Sequence, residues 1–135
     1  MIDDLLAKSI LAFLVEIDEN KKLVDGFNAP LGAFSARILA AYALGILEET
    51  EYQECERIRK IRNEFAHNVK ASFKSQKIID ITSTLHFSAK DDPTKGQRLP
   101  TKGKFTTAAV ALILNLTNRP RYASDRRLKA QIWAY

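Results

Sequence analysis

The chain has 135 residues, of which 46% are hydrophobic and 27% are charged, with only five glycines and four prolines. That length is typical of one domain, and the composition excludes disordered, collagen-like and coiled-coil chains. The longest apolar run, residues 38–47, is half as long as the roughly 20 residues that cross a bilayer. We therefore expect a single domain over residues 1–135 and no contact with a membrane.

The net charge of +5 is unevenly distributed along the chain. Residues 1–56 hold four Lys or Arg against eleven Asp or Glu, whereas residues 57–135 hold seventeen against five. A basic pole attracts polyanions, although surfaces of mixed charge also keep proteins apart in solution. The basic C-terminal half is therefore a candidate for nucleic-acid binding.

Cys55 is the only cysteine, so no intrachain disulfide can form. A lone cysteine is typical of a reducing compartment, and we expect a cytoplasmic protein. Cys55 lies on an apolar stripe, which favours a packed side chain over a nucleophile. One cysteine and two histidines are too few for a closed zinc site, and no glycine-rich phosphate loop is present. We predict neither a metal nor a cofactor.

Apolar residues recur at three- and four-residue steps through residues 2–20 and predict a first amphipathic helix. Residues 21–32 contain several helix-breaking residues and predict a loop. Residues 34–47 are apolar on nearly every side, which predicts the central helix of a bundle. Arg37 interrupts this helix, and a buried guanidinium needs a carboxylate or carbonyls around it. Both a structural ion pair and a ligand contact would provide them.

The second half of the chain continues the helical pattern. We predict helices over residues 51–68 and 75–86. A strand is the alternative for residues 75–86. An irregular segment is predicted over residues 88–103. Two more helices are predicted, over residues 105–118 and 125–134, the last with Leu128, Ile132 and Trp133 turned inward. The predicted fold is all-α, a compact bundle of five to six helices around the helix at about 34–47.

The segment over residues 58–67, IRKIRNEFAH, is the most informative for chemistry. Arg59, Asn63 and His67 are four residues apart and line one side of a helix, with Arg62 alongside. Histidine moves protons near neutral pH and arginine binds phosphate with two N–H groups. Such a set could cleave RNA without metal, with His67 as the base and Arg62 neutralising the phosphate in the transition state.

The same residues also fit an architectural role. Arg62 could bind a carboxylate or helix carbonyls, Asn63 could bond to backbone, and His67 could cap the end of the helix. A helical wheel places Arg62 about 40° from the centre of the apolar stripe and His67 about 180° from it. This predicts that Arg62 leans inward and His67 outward.

Two stretches carry a family resemblance when they are taken together. Residues 30–45 begin PLGAFSARI, and residues 58–67 read IRKIRNEFAH. Both resemble the mannitol operon repressor (MltR-like) family, in which a G-x-F-S-x-[KR]-I helix precedes an I-R-N-x-F-A-H helix. The likeness covers roughly residues 5–86. It implies an all-helical regulator of transcription that acts through other proteins and lacks a recognisable DNA-binding motif. The matching polar positions are Arg37, Arg62, Asn63 and His67.

The R-N-x-x-x-H string is also similar to the signature of the HEPN superfamily. That similarity implies a metal-independent endoribonuclease or an RNA-binding module, with Arg62, Asn63 and His67 working across a dimer interface. We therefore expect a homodimeric transcriptional regulator, with the HEPN-type endoribonuclease as the alternative. The candidate binding residues of the chain are Arg37, Arg59, Arg62, Asn63 and His67. Direct DNA binding has its best local candidate in a terminal basic set without a helix-turn-helix signature: Arg119, Arg121, Arg126, Arg127 and Lys129.

Overall fold

The structure is a computed structural model that describes residues 1–135, and its regular elements are helices. Six helices have seven or more residues, which confirms the predicted all-α fold. With the one-turn helix α2, they are α1 Ile2–Phe13, α2 Lys21–Val24, α3 Phe34–Ala43, α4 Glu49–His67, α5 Gln76–Ser83, α6 Thr101–Thr117 and α7 Arg119–Asp125. None of these helices combines the length and apolar character of a membrane span.

The chain divides into two compact units, residues 1–48 with 115–135, and residues 49–114. In the first unit α1 packs against α3 and α7. Its buried apolar side chains are Ile2, Leu6, Ile10, Val24, Ile38, Ala41, Ile46, Leu47, Leu116 and Ala123. In the second unit α4 packs against α5. Its buried apolar side chains are Cys55, Ile58, Ile61, Ile78, Leu85, Ala108 and Leu112.

The first helix is shorter than predicted, because α1 ends at Phe13 and Leu14 is extended. The carbonyls at this end of α1 are occupied by the C-terminal segment. The Leu128 N–H donates to the Phe13 oxygen (2.8 Å), and Arg127 donates to the oxygens of Leu11 (3.3 Å) and Leu14 (3.0 Å). These long-range bonds satisfy the carbonyls that a helix end leaves unpaired.

The expected helix after the loop is present as α3, but it ends at Ala43 rather than at residue 47. Gly45 has a φ of +74° and turns the chain, so that the N–H groups of Ile46 and Leu47 both donate to the Ala41 oxygen. Glycine adopts this left-handed conformation without steric cost, and helices therefore often end at a glycine. The side chain of Leu39 is 59% exposed, so the buried surface of α3 is confined to one face.

Residues 88–103 were predicted to be irregular, and the structure shows what holds them in place. The Asp91 carboxylate accepts hydrogen bonds from the Leu99 N–H (2.8 Å) and from Lys104 Nζ (3.0 Å). The Asp92 carboxylate accepts one from the Thr94 N–H (3.0 Å) at the start of a 3-10 turn, Pro93–Lys95. The sixth helix then begins at Thr101, four residues before its predicted start.

The predicted terminal helix over residues 125–134 is wrong. A helix instead spans Arg119–Asp125, with Pro120 in its first turn, and residues 127–135 have no helical structure. Proline suits the first turn of a helix because the N–H that it lacks has no partner there. Ile132 and Trp133 are 102% and 74% exposed, so they do not point inward as predicted.

Candidate functional site: the exposed end of α4

The fourth helix carries the segment that the sequence singled out. Glu49 and Glu51 lie in its first turn, where negative charge favours a helix start. The predicted stripe is buried at Cys55, Ile58 and Ile61. No residue from 62 to 70 is buried, and Val69 lies beyond the helix with its side chain fully exposed. Ile61 is therefore the last fully buried residue of α4.

Arg62, Asn63 and His67 are all exposed on this last part of α4, and we call these three residues the α4 end surface. The prediction that Arg62 leans inward is wrong, because Arg62 is exposed and full burial on α4 stops one residue earlier, at Ile61. Arg62 and His67 are five residues apart, which separates them by about 140° around a helix. A single helix therefore cannot aim both side chains at one phosphate.

Arg59 was expected to extend this line of polar side chains, but it is bound to a neighbour on its own helix. Its Nη2 lies 2.8 Å from Glu56 Oε2, and its Nε lies 3.2 Å from Glu56 Oε1. The hydrogen bond to Glu56 raises the pKa of the Arg59 guanidinium further above its ordinary value. This two-pronged pair occupies the groups that Arg59 would offer to a ligand.

The α4 end surface is supported by contacts on neighbouring faces of the helix. Glu64 forms an ion pair of 2.9 Å with Lys77 and accepts a hydrogen bond of 3.2 Å from Asn68. The bond to Lys77, followed by that to Asn68, lowers the pKa of the Glu64 carboxyl. The Phe65 ring packs against Phe73 at a centroid distance of 5.0 Å. These contacts hold the helix end in place while the three polar side chains stay exposed.

Arg37, the other polar position of the family pattern, has an internal role in the first unit. It is only 8% exposed. It donates hydrogen bonds to Asp3 Oδ1 (2.9 Å), to the Leu31 oxygen (2.7 Å) and to the Val24 oxygen (2.9 Å). These bonds connect α3 to α1, α2 and the intervening turn. The geometry matches the structural ion pair that the sequence left open.

Glu54 has a second internal role, which was not predicted from the sequence. Its side chain is fully buried and accepts hydrogen bonds from the N–H groups of His86 (2.8 Å) and Phe87 (2.6 Å). The chain after α5 is thereby fixed to α4, and α5 ends at Ser83, three residues before its predicted end. The one available signal was a glutamate beside Cys55 on the apolar side of the helix.

Cys55 is buried and makes no disulfide. Burial, followed by the negative charges of Glu51, Glu54 and Glu56, raises the pKa of its thiol to about 12. A thiol in that state is a poor nucleophile at neutral pH. No group of three or more His, Cys, Asp or Glu side chains is placed to hold a metal ion.

The terminal basic residues do not form one uniform surface. Arg119 donates a hydrogen bond to the Ile46 oxygen just beyond α3, and Arg127 bonds to carbonyls at the end of α1. Arg121, Arg126 and Lys129 are exposed. Two of the five candidate DNA contacts are therefore used to hold helix ends in place.

Fold and site together define an all-helical protein with an exposed polar motif at the end of its longest helix. The family model of the mannitol repressor matches residues 21–116, more than two thirds of the chain. The chain therefore belongs to the mannitol repressor family, as its two motifs predicted. That membership supports a general role in the regulation of transcription. No curated protein and no solved structure matches the chain.

Proposed function

We propose that the chain is a transcriptional regulator that acts through contacts with other proteins and does not itself recognise a DNA sequence. The observation that carries this proposal is the arrangement of the terminal basic residues. Arg119 and Arg127 bond to backbone carbonyls within the first unit, and the chain after Arg126 is not helical. Direct recognition needs an element such as a helix that presents several side chains to base edges in the major groove. Family membership supports the regulatory part of the proposal.

We assign the partner contact to the α4 end surface. Its three residues match the family pattern, and their exposure leaves them accessible to a protein that docks on this helix. Arg37 matches the same pattern but is buried, so its contribution is to the stability of the first unit. Of the residues that match the family pattern, Arg37 thus maintains the fold, and those of the α4 end surface contact the partner.

The first test asks whether the purified protein recognises DNA by itself. It is incubated with a pool of random duplexes at physiological salt, and the bound fraction is amplified and sequenced over several rounds. The proposal predicts no enriched sequence, since weak binding to the backbone alone is not sequence-selective. Enrichment of a defined site would overturn the proposal.

The second test asks whether the α4 end surface is needed for regulation. The wild type, a triple variant with Arg62, Asn63 and His67 replaced by Ala, and a Lys60→Ala control are each expressed in cells, and transcripts are sequenced. Lys60 is exposed on the same helix but lies outside the family pattern. We expect the transcript changes caused by the wild type to persist in the control and to disappear in the triple variant. Persistence in all three would refute the assignment of the surface.

A second candidate function, metal-independent cleavage of RNA, is favoured by the exposure of Arg62, Asn63 and His67. Because Arg62 and His67 point in different directions around α4, a joint site needs a second copy of the chain. The test is digestion of a labelled transcript in the presence of a chelator. Cleavage that is lost in His67→Ala and Arg62→Ala but retained in Lys60→Ala would establish this function. A transcript that stays intact with the wild type would exclude it.

We further infer that residues 1–135 act as one domain, that the chain forms a homodimer, and that it works in the cytoplasm. The lone buried thiol of Cys55 is compatible with a reducing compartment. Light scattering on the purified chain measures the assembly directly. A homodimer gives twice the 15.2 kDa of one chain, and a mass of 15.2 kDa at all concentrations would contradict it.

A further inference from the structure

The first unit contains a cavity of about 430 Å³ where the ends of α1 and α3 meet α7. Six of the side chains around it are Phe13, Ile46, Glu48, Arg119, Tyr122 and Arg126. Pockets for small molecules usually measure about 300–1,000 Å³, combine apolar walls with a few polar groups, and lie between packed elements. The cavity has this size, its lining is about equally polar and apolar, and the proposed function assigns no ligand to it.

The charged groups of the cavity indicate the sign of a ligand. Two arginines, Arg119 and Arg126, and one glutamate, Glu48, are the charged residues that line the cavity. The balance is one positive charge, which favours a ligand with one anionic group. Arg119 is held in the wall by its hydrogen bond to the Ile46 oxygen.

Arg126 is the residue best suited to bind that anionic group. Its side chain is exposed, and the structure shows no hydrogen bond or ion pair from its guanidinium to the rest of the chain. Its backbone is nevertheless fixed. The Arg126 N–H donates to the Ala123 oxygen (3.1 Å), and the next two residues bond to the end of α1. A guanidinium that is placed but unpaired can offer two parallel N–H groups to a phosphate or a carboxylate.

The remaining wall indicates the body of the ligand. Phe13 and Tyr122 contribute aromatic rings, and Ile46 adds an aliphatic side chain. Aromatic side chains offer flat apolar surfaces on which a planar group can stack. We propose that this cavity binds a small molecule with one anionic group, phosphate or carboxylate, on a flat apolar body, and that Arg126 pairs with the anionic group.

The test is titration calorimetry of the full chain with defined probes. Phenyl phosphate and benzoate represent the two anions on the same ring, inorganic phosphate lacks the ring, and phenol lacks the strong anion. We expect saturable binding of phenyl phosphate, benzoate or both at one site per chain, weaker binding of inorganic phosphate, and none of phenol. The relative affinity of the two aromatic anions identifies the preferred headgroup.

Matched variants connect the binding to Arg126. Arg126→Gln removes the free guanidinium. We expect this substitution to lower the affinity for the preferred aromatic anion about tenfold or more, since hydrogen bonds to charged groups are strong. Arg121→Gln is the control, because Arg121 is exposed on α7, which ends directly before Arg126, and does not line the cavity. Circular dichroism checks that both variants fold.

Two results would overturn the inference. One is the absence of saturable heat with both aromatic anions. The other is an equal loss of affinity in Arg126→Gln and Arg121→Gln. This result would mean that the affinity for the anion depends only on the overall positive charge of the protein. Neither result depends on whether the protein selects a DNA sequence or cleaves RNA, so the inference stands or falls separately from the proposed function.

Discussion

The guanidinium of Arg37 and the carboxylate of Asp3 are 34 positions apart in the sequence and lie 2.9 Å from each other in the structure. Arg37 is nearly buried, whereas the Asp3 side chain is about one third exposed (32%). The pair joins the start of α1 to α3, and the two other hydrogen bonds of Arg37 extend the link to Leu31 and Val24. The first unit thus depends on one cation with three internal acceptors.

Arg37→Ala is therefore expected to destabilise the protein strongly. It leaves a partly buried carboxylate and two carbonyls without their donor, and breaking a buried pair in this way costs about 3–5 kcal/mol. Asp3→Asn should cost only about 1 kcal/mol, because an amide oxygen still accepts a hydrogen bond. Urea denaturation measures both, with Asp4→Asn, a 73% exposed position, as the control. An Arg37→Ala midpoint equal to that of the wild type would show that the three bonds contribute nothing.

The thiol of Cys55 is expected to be inert in the folded protein. Its raised pKa of about 12 leaves only about one thiolate in ten thousand molecules at pH 8, and its burial also excludes the reagent. Labelling with a thiol-specific disulfide reagent should therefore proceed at the rate of unfolding and become rapid in urea. Rapid labelling of the native protein without urea would contradict this.

Thr82→Val is expected to stabilise the second unit. The Thr82 hydroxyl is buried, with 1% of the residue exposed, and it has no hydrogen-bond partner. Valine has nearly the same shape and a similar helix propensity, so the substitution removes an unpaired polar group at constant volume. We expect a gain of about 1 kcal/mol in the free energy of unfolding. Thr84→Val serves as a contrast, because the Thr84 hydroxyl donates to the Ile81 oxygen (2.7 Å) and its removal should not stabilise.

The segment over residues 88–103 is expected to loosen in acid. The Leu99 N–H and the Lys104 ammonium lower the pKa of the Asp91 carboxyl below its ordinary value of 3.8. A carboxyl with a lowered folded pKa stabilises the structure above its unfolded pKa, and this contribution is lost as the pH falls through the folded pKa. The protection of the Leu99 amide against hydrogen exchange, measured relative to the intrinsic exchange rate at each pH, should therefore fall only below pH 3.8.

Two variants check the assignment to Asp91. In Asp91→Asn the Leu99 amide should exchange faster at neutral pH and lose most of its acid response. In Asp80→Asn, which alters an exposed carboxyl on α5, the acid response should be unchanged. An unchanged response in Asp91→Asn would assign the acid sensitivity to another group, of which Asp92 is the nearest, since hydrogen bonds from Thr94 lower its pKa as well.

Much of the helical framework could be predicted from the sequence. The stripe of Cys55, Ile58 and Ile61 placed α4, and Ser75 correctly marked the residue before α5. Beyond Ile61 the same stripe overstated burial, because Phe65 contacts Phe73 but is still 37% exposed, and Val69 is 103% exposed. Periodicity reports which residues could face a core, but it does not report whether another element reaches far enough to cover them.

The candidate site was only partly predictable for the same reason. The sequence identified Arg62, Asn63 and His67 as chemically notable, yet the inward orientation of Arg62 was inferred from a wheel that assumed packing along the whole helix. The cavity beside Arg126 could not be predicted, because its residues come from the first 48 and the last 21 positions of the chain. The role of Glu54 depends likewise on two N–H groups more than 30 residues away.

The sequence by itself determined the helical class, the approximate position of α4 and the family motifs, because these follow from residue spacing within a few turns of backbone. Only the tertiary structure decided where α1 stops and how the last ten residues run. The Phe13 oxygen accepts from the Leu128 N–H, and Arg127 bonds to Leu11 and Leu14 over 113 to 116 positions. A helix end leaves unpaired carbonyls in any sequence, and the donor that satisfies them can come from the far end of the chain.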